Sequence, residues 1–401
     1  MRNLLLITFF SLFLFSCINE NSKETTISSN NQVFESQINS KNNSNSENIS
    51  IQKNFKNYIT EPQDFKLIEI VQGLNYPWGM TFLDDNNLLV TEKSGKLIRI
   101  NLSTNEKFEV KHNINYVASG QGGLLDVLFN DNFIYFSFSE DRGSGKTSTS
   151  ISRGKLVDDK IIELESIFQA EPPLIGTKHF GSRLVVNNQM LFATIGERGQ
   201  GMIAQDSKKH PGSIIRINLD GSIPKTNPKF KNNKEWLPEI FQIGIRNPQG
   251  MALSPFNNKI YISNHGAKGG DFIGEIKNGG NYGWKEIGWG GTNYTGSKIG
   301  NGEAFNPKFT KPILTWVPSI APSGIMFYKG EKFKEWENDL LVTSLKYNML
   351  IKINMDNNKI VNETILIKDK IVRIRDLEID TKGNVYLISD QKNSSLWKLT
   401  K

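Results

Sequence analysis

A single cysteine, Cys17, is present in the 401 residues, so no disulfide can staple the fold. Histidine is nearly as scarce, with four copies to supply any imidazole chemistry. The net charge is +7, but the lysines are scattered over solvent-facing positions rather than run together with interleaved aromatics. That pattern leaves nucleic acid out as a partner. The apolar run from Leu4 to Phe15 is too short to span a bilayer comfortably. Long amphipathic helices are missing as well. In their place stand 34 glycines, 24 phenylalanines and many short alternating runs of Ile, Val and Asn, the composition of strands and tight turns.

The apolar run follows a brief polar segment at Arg2 and Asn3 and leads straight into Leu14-Phe15-Ser16-Cys17. That tetrad resembles the lipobox of bacterial lipoproteins, in which the cysteine is lipidated and becomes the mature N-terminus. Residues 1–17 are therefore expected to be a signal peptide ending in the lipobox cysteine. Residues 18–55, rich in Asn, Ser, Lys and Glu, cannot bury enough apolar surface to offset chain entropy and are expected to form a disordered tether. Such a chain would sit in the cell envelope, bound to a membrane through its N-terminal lipid. Ile18 stands after the cysteine in place of the aspartate associated with inner-membrane retention.

Over 56–401 one pattern recurs six times: a Gly or Pro turn, an alternating apolar strand, a polar turn, a second apolar strand ending near Ser or Thr, then a third strand. The copies begin near Trp78, Gln121, Gly181, Pro248, Ser323 and Ile374. Spacings of this size suit four-stranded antiparallel blades with loops of unequal length, so the fold expected is all-β, a six-bladed β-propeller. The loops that enter the innermost strands of a propeller converge at one end of a central channel. Gln121, His179, Arg246 with Asn247, Ser319, and Arg373 with Arg375 all fall in or beside such loops.

Several of these residues carry chemistry. His179, in GTKHFGSRL, stands just before an inner strand, and nearby cations would keep its imidazole neutral and able to take a proton from an alcohol. Arg246, Lys346, Arg373 and Arg375 form a cation set suited to a ligand with several acid groups, the last two spaced to share a strand face. Taken singly, such arginines are commonly solvated or paired with acids such as Asp376. The turn His265–Asp271, HGAKGGD, offers backbone carbonyls without bulky side chains, which a hard calcium ion accepts.

These segments resemble the soluble pyrroloquinoline-quinone (PQQ)-dependent sugar dehydrogenases, the family of soluble glucose dehydrogenase and the aldose sugar dehydrogenases. The matching motifs, in family order, are GQGGLLDV, HFGSRL, IGIRNPQG, HGAKGGD with NYGW, VPSIAPSG, WENDLLVTSLK and VRIRDL. The resemblance implies oxidation of an aldose at the anomeric carbon to its lactone, with His179 as general base and Arg246 stabilising the oxyanion that develops on the cofactor. It also implies that Gln121, Arg246, Asn247, Ser319, Lys346, Arg373 and Arg375 contact PQQ. The main-chain oxygens of Gly266 and Ala267 would hold a Ca2+ ion. Phe272 stands where the family often has a glutamate for a second, structural calcium, although Asp271 and Tyr282 remain nearby. Lys178 replaces an acid that lies at the sugar in the glucose enzyme, so the preferred sugar does not carry over. The implied partners are a small sugar and an electron acceptor in the envelope. A non-catalytic envelope propeller that binds a ligand or another protein is the alternative. A calcium-dependent lactone hydrolase would need carboxylates converging on one metal, and the strand entrances show no such set.

Overall fold

The computed structural model describes residues 64–228, 236–356 and 359–401. Cys17, the lipobox and the tether expected at 18–55 lie outside the described residues. The described chain forms six antiparallel sheets in sequence order and, apart from two short 3-10 turns, no helix. Their inner strands are Pro77–Asp84, Leu124–Asn130, Gly181–Asn187, Pro248–Leu253, Pro322–Phe327 and Ile374–Ile379. Each touches the inner strand of the next sheet, and the sixth touches the first, so the sheets are blades around a central channel.

Two details depart from six identical blades. The second blade has five strands, because both Lys160–Gln169 and the two-residue Leu174–Ile175 pair with Lys146–Val157. The sixth takes its outer strand from the start of the domain: Lys66–Leu74 pairs antiparallel with Ser394–Thr400, Lys66 opposite Thr400 and Leu67 opposite Leu399. Pairing of the first described strand with the last closes the ring without a disulfide.

Apolar residues on the blade faces are buried between neighbours rather than in one central core. Six clusters fill the six interfaces, for example Leu89, Leu97 and Val110 against Leu124, Val127 and Phe136 between blades 1 and 2. Between blades 3 and 4, Val185, Phe192 and Ile214 meet Met251, Ile262 and Phe272. Each such side chain contributes about 1.5–3 kcal/mol on burial. Blade-to-blade packing therefore holds the channel ends at fixed spacing.

Candidate active site at the channel mouth

In an antiparallel blade the entrance of the first strand lies beside the exit of the second, so the loops before all six inner strands gather at one end. A cavity of about 270 Å3 lies there, lined from every blade, by Trp78, Gln121, Phe180, Asn247, Ala321 and Arg373 among others. Arg375, His265 and Asp390 also line it.

His179 precedes the inner strand of blade 3 and is buried, with φ +56°, a left-handed conformation that costs a non-glycine residue about 1–2 kcal/mol. Its carbonyl is packed so tightly against Gly196 that a Cβ there would lie 2.0 Å from it. Its N–H donates to Gln121 Oε1 at 2.8 Å, tying blade 2 to blade 3. The ring Nδ1 lies 2.5 Å from Oε1 of Glu197, and Oε2 of the same carboxylate accepts from Gly201 N–H at 2.6 Å. Burial lowers the His179 pKa, helped by the charges of Arg246 and Lys178 and opposed by Glu197. Burial would raise the Glu197 pKa, but the His179 hydrogen bond, Gly201 N–H and Arg246 bring it below the usual value. A neutral imidazole beside an ionised carboxylate must carry its proton on Nδ1. Nε2 is thus the free lone pair, and it has no hydrogen-bond partner among the described residues.

Arg246 and Asn247 are held by their backbone N–H groups, which both donate to Asn264 Oδ1, at 3.1 and 3.0 Å. The strand begins at Pro248, and proline is accommodated as the first residue of a strand. The Arg246 guanidinium rests against the Trp284 ring at 5.3 Å and has no carboxylate within salt-bridge distance among the described residues. Asn247 Oδ1 accepts from Gly181 N–H and Gln249 Nε2, at 3.2 and 3.1 Å.

The remaining cations divide. Arg375 is buried, donating from Nη1 to Gln249 Oε1 and from Nη2 to Asp390 Oδ2, both at 2.8 Å, while its buried Nε has no partner. Arg373 lies in the turn before the strand with φ +48°, so it does not share the strand face with Arg375 as spacing two suggests. The two nevertheless converge, because Arg373 Nη2 donates to the same Asp390 Oδ2 at 2.8 Å. Lys93 meets the other oxygen of Asp390 at 3.1 Å, and these three cations hold that carboxyl far below the ordinary range despite its burial. Asp376, the partner that sequence suggests for such arginines, pairs instead with Arg183 at 2.9 Å. Lys346 is exposed at the rim, with Nζ 3.0 Å from Ser319 O. Ser319 is turned toward Asp271: its Oγ donates to Asp271 Oδ2 at 2.6 Å. His179, Arg246, Ser319 and Lys346 do not line the cavity itself, although Phe180, Asn247, Ala321 and Leu345 beside them do.

The turn at Gly266 is tight, since a Cβ there would meet Gly269 O at 2.2 Å. Asp271, fully buried, organises it by accepting Gly266 N–H at 2.7 Å on one oxygen and Ile320 and Ala321 N–H on the other. The carbonyls of Gly266 and Ala267 accept no hydrogen bond among the described residues. Neighbouring His265 is pushed down to about 3 by burial and by the charge of Arg246, and its Nε2 meets Pro322 O at 2.7 Å. No group of three or more His, Cys, Asp or Glu side chains able to hold a metal occurs among the described residues, so a cation here would depend on main-chain oxygens. Phe272 is buried in the core between blades 3 and 4, 4.7 Å from the Tyr282 ring, and the Tyr282 hydroxyl donates to Glu275 O. The Phe272 ring therefore has no oxygen to offer an ion, and the Tyr282 hydroxyl is already engaged.

Sequence reasoning missed Glu197 and Asp390, the two acids that organise the site. Both stand at the exits of second strands, in TIGERG and LISDQ, where antiparallel pairing returns the chain to the channel mouth. That register was the available signal.

The family model described as Glucose / Sorbosone dehydrogenase matches residues 74–398, from the end of the closing strand to near the end of the last blade. Aldose sugar dehydrogenase YliI of Escherichia coli (strain K12) is 35% identical over 344 residues, covering 83% of this chain and 92% of that one. Quinoprotein glucose dehydrogenase B of Acinetobacter calcoaceticus is 29% identical over 416 residues, covering 82% and 86%. The crystal structure of the soluble aldose sugar dehydrogenase from Escherichia coli in the apo-form superposes with a TM-score of 0.80 at 32% identity, covering 84% of this chain and 99% of that chain. With six blades, the loops at their mouth and the length of the match in agreement, the chain belongs to the glucose/sorbosone dehydrogenase family.

Proposed function

We propose that the protein is a PQQ-dependent aldose dehydrogenase that oxidises a sugar at its anomeric carbon to the lactone. The observation that carries this reading is a neutral imidazole, His179, buttressed on Nδ1 by Glu197 and open at Nε2, near an arginine that makes no salt bridge among the described residues. Two similar proteins, the aldose sugar dehydrogenase and the quinoprotein glucose dehydrogenase, bear names that agree with it.

The residues present fit the cofactor. A tricarboxylate needs cations with spare donors, and the mouth offers the unpaired Nε of Arg375, the half-exposed guanidinium of Arg373 and the exposed Lys346, with the Asn247 amide beside them. Ca2+ would rest on the free carbonyls of Gly266 and Ala267 and polarise the quinone carbonyl. The bound quinone supplies the acceptor for the hydrogen that leaves the anomeric carbon with its electron pair. The chain's own part is proton transfer and electrostatics. His179 Nε2 takes the proton of the anomeric hydroxyl, and Glu197, 2.5 Å from Nδ1, stabilises the imidazolium that forms. Arg246 keeps the ring neutral beforehand and is a fixed cation for the negative charge that develops during transfer. Lipidation at Cys17 would place this site in the cell envelope, within reach of an electron acceptor there.

The test is reconstitution with PQQ and Ca2+ and dye reduction across a panel of aldoses. Cofactor-dependent reduction is expected. A folded protein that binds neither, or binds PQQ without reducing dye with any aldose, would return the propeller to a binding role.

A further inference from the structure

Arg198 follows Glu197 and is 3% exposed, yet no carboxylate lies within salt-bridge distance of it among the described residues. Burial brings its pKa down to about 10, opposed by the charge of Glu197. A buried guanidinium without an ion-pair partner has to be satisfied by neutral acceptors, and here these come from two segments. Nε donates to Lys178 O at 3.1 Å and Nη2 to Gly176 O at 2.5 Å. Nη1 donates to Thr147 O at 2.7 Å and Nη2 also to Thr147 Oγ1 at 2.8 Å. The backbone N–H of Arg198 donates to His179 O at 3.2 Å, and its guanidinium carbon lies 3.8 Å from the centre of the Phe180 ring.

Residues 176, 178, 179 and 180 are therefore all gripped by one side chain and its own backbone. Thr147, the anchor at the far side, belongs to the Lys146–Val157 strand of blade 2. The gripped loop and the strand entry that follows it need such a clamp, because Gly176 and His179 in the loop and Gly181 and Ser182 at the start of the strand all have positive φ, at +124°, +56°, +69° and +92°. Left-handed conformations at His179 and Ser182 persist only where the surroundings over-determine them. Arginine suits this clamp because its planar fork directs donors at several carbonyls at once, whereas a lysine ammonium is a point charge.

We propose that Arg198 is a positioning residue for the base, pinning the 176–180 loop to blade 2 so that Nδ1 of His179 stays within reach of Glu197 and Nε2 stays free. Resting on the reading of His179 as the base, the assignment adds a residue that touches neither cofactor nor sugar and acts through the loop.

With four histidines in the chain, selective 15N labelling resolves the imidazoles one by one in the full-length protein, and His179→Gln identifies the His179 signals. In Arg198→Met the His179 Nδ1 proton signal is expected to broaden or move upfield as the contact with Glu197 loosens. After reconstitution with PQQ and Ca2+, kcat is expected to fall about 10–100-fold, with the sugar KM and PQQ affinity within about twofold of the parent. Arg198→Lys should recover part of both, and Thr147→Val, which removes one acceptor, should shift both in the same direction by less. An unchanged His179 signal and kcat in Arg198→Met overturns the proposal; if that variant does not fold, the same result in Arg198→Lys and Thr147→Val does so. Full activity in His179→Gln would instead sink the underlying reading of the base, whatever Arg198 does.

Discussion

Two arginine sites along the same channel are opposite in character. Deep inside, Arg183 is fully buried, paired with Asp126 at 3.0 Å and Asp376 at 2.9 Å, donating to Gln249 O at 2.6 Å and lying 4.3 Å from the Trp78 ring. Those carboxylates also accept backbone N–H groups of adjacent blades, Leu184 for Asp126 and Met80 for Asp376. At the mouth, the Arg246 guanidinium rests on an aromatic ring with no salt bridge among the described residues, and Arg375 keeps a buried donor unused. A charge whose bonds are all made inside the protein joins blades together. One left incomplete is held ready for something outside. The same residue type is thus structural at one level of the channel and functional at another.

The largest effect should come from the mouth. His179→Gln keeps the shape of the site but removes the basic nitrogen, and turnover of the reconstituted enzyme should drop about 10^2–10^4-fold with the melting temperature nearly unchanged. A crossed pair then sharpens the contrast. Arg246→Met leaves no carboxylate stranded, so kcat should fall about 10^2–10^3-fold while stability holds. Arg183→Met strands two buried carboxylates and should cost about 3–5 kcal/mol in denaturant unfolding, with the chemistry of the surviving folded fraction intact. Equal losses of stability in the two variants would erase the distinction.

The pH profile supplies a subtler test. Because the His179 pKa lies below its ordinary 6.5, the folded site needs no proton removed at neutral pH, and kcat/KM should be flat near pH 7 and fall only as pH drops below 6.5. Glu197 raises that pKa, so Glu197→Gln should move the acid limb to still lower pH while reducing the plateau, as the imidazolium loses its support. A limb that moves upward would mean the carboxylate is not ionised beside the ring. The smallest effect is expected at the rim. Lys346→Met loses an exposed ammonium that donates to Ser319 O and lies over the Tyr347 ring, so PQQ affinity should weaken about 3–10-fold, roughly 0.7–1.4 kcal/mol, with unfolding unaltered.

Much of the site could be read from residue order. Strand periodicity and turns place Gln121, His179, Arg246, Asn247 and Arg375 before or at the start of inner strands, and a propeller brings such positions together whatever their separation in sequence. Partner choice could not be read that way. Asp376 is adjacent to Arg375 in sequence, yet the pairing is irregular between Ile374 and Asp376, a bulge that re-aims the side chains there, and Asp376 meets Arg183 from blade 3 while Arg375 meets Asp390. Ser319 illustrates the same limit, since its hydroxyl is engaged by Asp271 across the turn.

By itself, then, the order of residues determined the alternation that makes strands, the six repeats that make blades and the scarcity of histidine that singles out His179. Those are short-range properties, set by side-chain volume, backbone preference and spacing. Only the tertiary structure decided which cations remain unpaired, that Glu197 holds the imidazole and that Arg198 holds its loop. Pairing depends on the facing of side chains from different blades, and a difference of an ångström or two separates a satisfied charge from a free one.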